Sequence, residues 1–264
     1  MNRTVRLLAW LFFAAILYLI FAETLTPWLH LPGLGNIGFT AVFFLFALSH
    51  CLAVEGPRRT LQFFAVSAVV SYLMEEIGVR TGLIFGAYHY GNGLGTKLGH
   101  VPILIPLAWF MMIYPSRAVA KAMLNGIDLR SIRGITALSA TAAFVMTAWD
   151  VVMDPGMALG GSWIWEKGGA YFGVPRHNYL GWLLTTFLVY WITGWLWRRQ
   201  QTIAITTKLF TALPVIVYGV YALRYVAANH FPELQLIALF SMGLPALVAS
   251  IQLCCNPKQQ PNYG

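Results

Sequence analysis

Glu75, Glu76, Asp150 and Asp154 are the residues of this chain best suited to do chemistry, because each lies within or at the end of a long apolar stretch. A charged residue at the centre of a membrane helix costs about 2.5–3.5 kcal/mol even on a lenient insertion scale, so four such acids point to a functional site. Carboxyl groups crowded into a low-dielectric pocket cannot all ionise, since desolvation and like-charge repulsion both oppose it. At least one then stays protonated near neutral pH as a general acid, while an ionised neighbour accepts a proton or steadies a cation. The competing reading is structural, with each acid paired to Arg80, Arg176 or Arg224 to lock the bundle.

The elements that must position these acids are membrane helices. Of 264 residues 58% are hydrophobic and 10% charged, against about 25% charged in soluble domains. Eight apolar runs follow one another: Leu7 to Ala22, Ile37 to Val54, Leu61 to Ile77, Val101 to Ala120, Ile135 to Met153, Tyr179 to Trp197, Leu209 to Ala228 and Leu234 to Leu253. Most approach the roughly 20 residues that a bilayer crossing needs. The expected fold is therefore all-α, a polytopic transmembrane bundle of about eight helices. It forms one domain over residues 1–264, with a short disordered tail at about 256–264.

The net charge of +8 does not indicate nucleic acid, because the basic residues sit in short clusters between apolar runs. Sorted by alternate loops, Arg3, Arg6, Arg58, Arg59, Arg117, Lys121, Arg130, Arg133, Arg198, Arg199, Lys208 and Lys258 share one side. Arg80, Lys97, Lys167, Arg176 and Arg224 share the other. The positive-inside rule makes the richer side cytoplasmic, which puts both termini in the cytoplasm and the protein in the cell (inner) membrane. Arg3 and Arg6 ahead of a short apolar core also fit a cleaved signal peptide, whose loss leaves the other helices oriented the same way.

The acids concentrate toward the outer side. At 1.5 Å of rise per residue, Glu75 lies about 21 Å from Leu61 and Asp150 about 22 Å from Ile135, a common depth in the outer half of the membrane. Helical phase places Ser67, Ser71 and Glu75 on one stripe of the third run, with Tyr72, Glu76 and Arg80 on the adjacent stripe, where Glu76 and Arg80 can pair. In the fifth run Thr136, Ser139, Ala143, Thr147, Asp150 and Asp154 make a small or polar face of the kind that packs against helices or lines a cavity.

The loops at residues 80–100 and 155–178 are longer than ordinary connections and read as lids over the acids. Tyr88, Tyr90, Trp163, Trp165, Tyr171 and Phe172 belong to them and also suit an interfacial aromatic belt. The glycines of GNGLGTKLG lack the order of a phosphate loop and read as turns. His30, His50, His89, His100, His177 and His230 show no zinc or di-iron spacing. His89 and His177 share the outer loops with the acids as relay or structural groups, and His50 is expected to bond a neighbouring helix. Cys51 and the Cys254–Cys255 pair offer no disulfide framework; they read as packing residues, with the terminal pair a weak lipidation candidate.

The strings EEIGVRTGLIFGAYHYG, from Glu75, and WDVVMDPGMALGGSWIWEKGGAYFGVPRHNYLGW, from Trp149, resemble the two signature blocks of a membrane carotenoid-biosynthesis family. That family contains the carotenoid 1,2-hydratases and bisanhydrobacterioruberin hydratases. The resemblance implies an enzyme that adds water across the terminal double bond of an acyclic carotenoid end group, without a metal or redox cofactor, to give a tertiary alcohol. The partners it implies are a lipophilic acyclic carotenoid, water, membrane lipid and other enzymes of the same pathway.

On this expectation Asp150 or Asp154 protonates the alkene and Glu75 or Glu76 orients the water. Tyr72, Trp149, Trp163 and Tyr171 supply faces to the cation. Arg80, Tyr88, His89, Tyr90, Trp165, Arg176, His177 and Asn178 complete the expected substrate site. A carotenoid cyclase starts from the same protonation. A proton-coupled transporter also carries intramembrane acids, but here the cytoplasmic half has no acid within a helix and the chain has no obvious internal repeat.

Overall fold

The computed structural model describes residues 3–26, 29–200 and 207–255. The chain forms helices α1 (Arg3–Leu25), α2 (Gly35–Glu55), α3 (Pro57–Thr81), α4 (Leu104–Met123), α5 (Ile132–Leu159), α6 (Arg176–Trp197), α7 (Lys208–Ala227) and α8 (Pro232–Cys255). The last contains a π turn at Leu239–Gly243. Seven of them are long and apolar enough to cross a membrane. The remaining one, α4, is the central post of the bundle and packs against α2, α3, α5, α7 and the C-terminal half of α8. Because its neighbours are protein and not lipid, α4 can carry Trp109, Tyr114, Ser116 and Arg117 among its apolar residues. All eight expected apolar runs form helices, but the fourth begins later than expected, at Leu104, because Val101–Pro102 pair in a strand; the expected tail at 256–264, with Lys258, lies outside the described residues.

Local rules set several helix ends. Pro57 occupies the first turn of α3, where a missing N–H costs nothing, and Gly82, at φ 67°, closes it in the left-handed region with its N–H on the Gly78 carbonyl at 2.8 Å. The fifth helix corrects the expected boundary, since it does not stop at Met153 but runs through Pro155 to Leu159. An interior proline leaves the carbonyl four residues earlier without its partner, and here the Tyr171 hydroxyl donates to that carbonyl, Val151 O, at 3.2 Å. Burial pushes the Tyr171 phenol up to about 12, so it remains a donor. Pro214 in α7 frees the Phe210 carbonyl in the same way, and His50 Nε2 donates to it at 2.6 Å. His50 Nδ1 then accepts from the Tyr114 hydroxyl at 2.7 Å, which is the neighbouring-helix bond expected of this residue.

The two long loops are not structureless. Strand β1 (Tyr88–Tyr90), from the loop after α3, pairs antiparallel with the later strand β4 (Trp163–Trp165), from the loop after α5. The register sets Tyr88 opposite Trp165, His89 opposite Ile164 and Tyr90 opposite Trp163. Side chains alternate across a strand, so the two tyrosines and two tryptophans share the inner face while His89 and Ile164 point out. Between them β2 (Lys97–Leu98) and β3 (Val101–Pro102) form a small hairpin turned by Gly99, at φ 60°.

Helix α6 packs against the start of this lid at Gly181, where a Cβ would meet the Ile84 carbonyl oxygen and come within 2.6 Å of Phe85 Cδ1. No side chain fits without moving backbone. Replacing Gly181 by leucine is therefore expected to cost about 1–3 kcal/mol of stability, the usual range for overpacking. A lowered melting temperature of the detergent-purified protein is the measurement; an unchanged one would contradict this packing.

Candidate active site

Helix α3 presents Ser67, Ser71 and Glu75 inward, all buried, as their shared stripe predicts. The Glu75 carboxylate ties three elements together. Its Oε2 accepts from the Tyr90 hydroxyl at 2.8 Å and from the Tyr88 hydroxyl, and its Oε1 accepts from Trp109 Nε1 of α4 at 3.0 Å. Burial, and then the neighbouring Glu75 carboxylate, hold the Tyr88 and Tyr90 phenols well above the ordinary tyrosine range, so both stay protonated. A carboxyl group surrounded by donors is dressed as an acceptor.

Helix α5 brings Asp150 and Asp154 to the same region, one turn apart and both buried. The Asn178 side-chain amide, in the first turn of α6, bridges them. Its Nδ2 donates to Asp150 Oδ2 at 3.0 Å and to Asp154 Oδ2 at 2.7 Å. Asp154 Oδ1 accepts from Trp163 Nε1, so the lid reaches this pair as well. Asp150 Oδ1 has no partner among the described residues. The polar face of α5 is buried from Ser139 through Asp154, whereas Thr136 at its start is exposed.

Both groups open onto one cavity of about 620 Å³ between the helices and beneath the lid, a volume ordinary for a small-molecule site. Glu75, Asp154, Asn178, Tyr88, Tyr90, Trp163 and Trp165 line it; Asp150 lies behind, out of contact with the opening. Most of the remaining wall is apolar, with Phe39, Phe85, Leu104, Met111, Val152 and Met153 contributing. Trp109 and Trp182 stack at 4.0 Å between centroids and 12° between planes, and Trp149 meets Trp182 edge-on at 6.0 Å. A second polar end is formed by Glu23 and Arg224, paired at 2.9 Å.

The structure does not bring all the expected residues together. Glu76 stands on the neighbouring stripe of α3 and faces away from the cavity. Its Oε1 accepts from Arg80 Nε at 2.8 Å and lies 2.9 Å from His100 Nδ1, and its Oε2 accepts the His100 backbone N–H at 2.9 Å. It thus anchors the β2–β3 hairpin, and the expected cluster of four acids is a cluster of three. The 3.6-residue period explains the correction, because adjacent residues on a helix point about 100° apart.

Tyr72 donates to the Leu98 carbonyl at 3.3 Å on the same outer side, Arg80 serves Glu76, and Tyr171 serves the Pro155 bend. His89, Arg176 and His177 are exposed. Trp149, Trp163, Trp165, Tyr88, Tyr90 and Asn178 do line the cavity. Trp109 and the Glu23–Arg224 pair lie outside both signature blocks, and Trp182 closes the second block without a polar neighbour to mark it. Their only sequence signal is an amphipathic tryptophan, or a lone charge, inside an apolar run. Among the described residues no group of three or more metal-ligating side chains is present.

These features define an integral membrane helix bundle with a buried, carboxyl-lined apolar cavity closed by an aromatic ribbon. The sequence pattern of the carotenoid biosynthesis protein family matches residues 35–249, and the chain belongs to that family. It is 38% identical over 129 residues to the bisanhydrobacterioruberin hydratase of Haloarcula japonica, an alignment covering 48% of this chain and 42% of that protein. The chain thus spans less than half the length of that curated relative. No solved structure matches it.

The Asn178 bridge sets a measurable expectation. Replacing Asn178 by alanine removes the donor shared by two buried carboxyl groups, and each acceptor left unpaired costs about 1–3 kcal/mol. Thermal unfolding followed by tryptophan fluorescence should show a clear loss of stability, larger than that of Arg176→Ala at the exposed start of the same helix.

Proposed function

We propose that this protein is a carotenoid hydratase that adds water to the terminal C=C of an acyclic end group and leaves a tertiary 1-hydroxy group. The observation that carries the reading is that Asp154 and Glu75, two carboxyl groups with different hydrogen-bond surroundings, open onto the same apolar cavity. Family membership and the hydratase named among the relatives favour the same chemistry.

Water is too weak an acid to protonate an isolated alkene, so the reaction needs a positioned carboxylic acid. Asp154 is the proton donor in this reading, because it faces the cavity while Asp150 lies behind it, joined through Asn178. The pair enters the cycle with one proton between its carboxyl groups. Transfer to the less substituted alkene carbon forms a C–H bond and leaves a tertiary cation. The faces of the Trp109–Trp182 stack and of Trp149 stabilise that cation, each by up to about 2 kcal/mol when dry. A water held at Glu75 attacks the cation, the C–O bond forms, and Glu75 takes the surplus proton, which returns to the aspartate pair before the next turnover. Hydration consumes one water and no electrons, so the reading requires no redox cofactor.

The polyene lies in the apolar part of the cavity and enters sideways from lipid. On the charge sorting of the loops, the cavity belongs to the extracytoplasmic half and both termini to the cytoplasm of the cell membrane. Tyr88 and Tyr90 hold Glu75 in one orientation, the positioning that turns a bound water into an oriented nucleophile.

Expression in a host that accumulates an acyclic carotene, followed by chromatography and mass spectrometry of the pigments, tests the reading. The expected product is heavier by one water for each end hydrated, whereas an isomer of unchanged mass would indicate cyclisation instead. Asp154→Asn and Glu75→Gln are each expected to lower hydrated product by about 10²–10⁴-fold, the usual contribution of a general acid or base. Both proteins should still accumulate in the membrane. Near-normal turnover by Asp154→Asn would remove Asp154 from the acid role.

A further inference from the structure

Hydration consumes water, yet the polar groups beneath the lid are almost out of its reach: Glu75, Asp154, Tyr88 and Tyr90 are no more than 5% exposed. The same cavity has a second polar wall, which the proposed chemistry leaves unused and which other helices carry. Glu23 lies in the last turn of α1, Asn36 in the first turn of α2, Arg224 in the last turn of α7 and Gln235 in the first turn of α8. Asn229 and His230, between α7 and α8, complete it. Exposure is higher along this wall than beneath the lid. Asn36 and His230 are exposed, Asn229 and Gln235 are half-buried, and the Glu23 and Arg224 side chains are 34% and 25% exposed.

From that rim polar atoms lead inward. Arg224 Nη2 pairs with Glu23 Oε2 at 2.9 Å, and the guanidinium stands 4.8 Å from the Tyr225 ring centroid and 5.7 Å from that of Tyr221. The Tyr225 hydroxyl donates to the Tyr221 hydroxyl at 3.3 Å, and the Tyr221 ring lies 6.5 Å from Trp149, one of the faces assigned to the cation. Asn229 Oδ1 accepts the Phe231 backbone N–H at 3.3 Å, whereas its buried Nδ2 has no partner among the described residues. A buried donor left over by the protein suits a water oxygen. The pairing also matters to the chemistry, because a lone arginine beside the route would oppose a carbocation, and Glu23 balances its charge.

We propose that this wall is the inlet through which the reacting water enters the cavity, an inference that rests on the hydratase reading. Water passes the rim at Asn36, His230 and Gln235, meets Asn229 and the Glu23–Arg224 pair, and moves on past the tyrosine hydroxyls. An apolar wall offers a lone water no hydrogen-bond partner, so it crosses where polar groups follow one another. The two reactants then arrive by separate routes, the carotene sideways from lipid and the water from the helix ends.

The test plugs the rim of the folded, full-length protein in detergent, supplied with an acyclic carotene. The exposed Cys254 and Cys255 are first replaced by serine, and Gln235→Cys, Asn36→Cys and Leu159→Cys are made in that background. Leu159 is the control, 65% exposed at the end of α5 and away from the cavity wall. Each variant is treated with sulfonatoethyl methanethiosulfonate, modification is verified by mass, and hydrated product is compared before treatment, after it and after reduction with dithiothreitol. Treated Gln235→Cys and Asn36→Cys are expected to lose most hydration and regain it on reduction, with Leu159→Cys unaffected. Bound carotene, read from its visible absorption after gel filtration, should stay constant throughout. Undiminished hydration by the modified rim variants overturns the inlet, as does an equal loss at Leu159→Cys. Loss of bound carotene together with hydration makes the rim the substrate's door and overturns the water route. A wild type that forms no hydrated product before any reagent is added overturns the hydratase reading and the inlet together, so the two failures are told apart.

Discussion

The buried carboxylate of Glu75 is the constraint around which the rest of the structure is arranged. An acid at that depth in α3 needs donors that a lipid cannot provide, and it obtains them from β1 and from the central helix α4. Those bonds fix the lid on the bundle. The β1–β4 pairing then carries the lid across to α5, where Trp163 meets Asp154. Two blocks of sequence more than seventy residues apart are thereby joined into one site.

The same accounting of buried polar groups explains residues that do not line the cavity. Pro155 and Pro214 each leave a carbonyl without its helical partner, and a single side chain from elsewhere in the fold answers each, Tyr171 in one case and His50 in the other. Inside a membrane bundle such a bend persists only where a neighbour supplies the missing donor. Both side chains are thereby tied to the bend of a proline. Glu76 is a third case, since its carboxylate is consumed by Arg80 and by the backbone and ring of His100.

The cavity combines two environments that hydration of a hydrocarbon would require. Its walls are mostly apolar, and the Glu75 and Asp154 carboxyl groups stand together at the lid. Stacked tryptophans stand between the helices that carry Glu75 and the aspartates, and one of them, Trp109, both holds Glu75 and offers a face to the cavity. A second polar end, at Glu23 and Arg224, gives the cavity a direction.

The sequence by itself determined the class of fold, the eight helices and the presence of acids within them, because apolar run length and the cost of an intramembrane charge are local quantities. It also separated the Glu75 stripe from the Glu76 stripe, though not which of the two faced inward, since that depends on where α4 lies. Tertiary structure alone decided the pairing of β1 with β4, the bridging of Asp150 and Asp154 by Asn178, the burial of Asp150 behind Asp154, and the part played by Trp109 and Trp182. These are contacts between residues far apart in the chain, and no period or spacing within one helix encodes them. Two pairs of acids inside apolar runs were legible in the sequence; that Glu75 and Asp154 line one cavity with Asp150 behind it, while Glu76 anchors a hairpin, followed only from the packing of helices around α4.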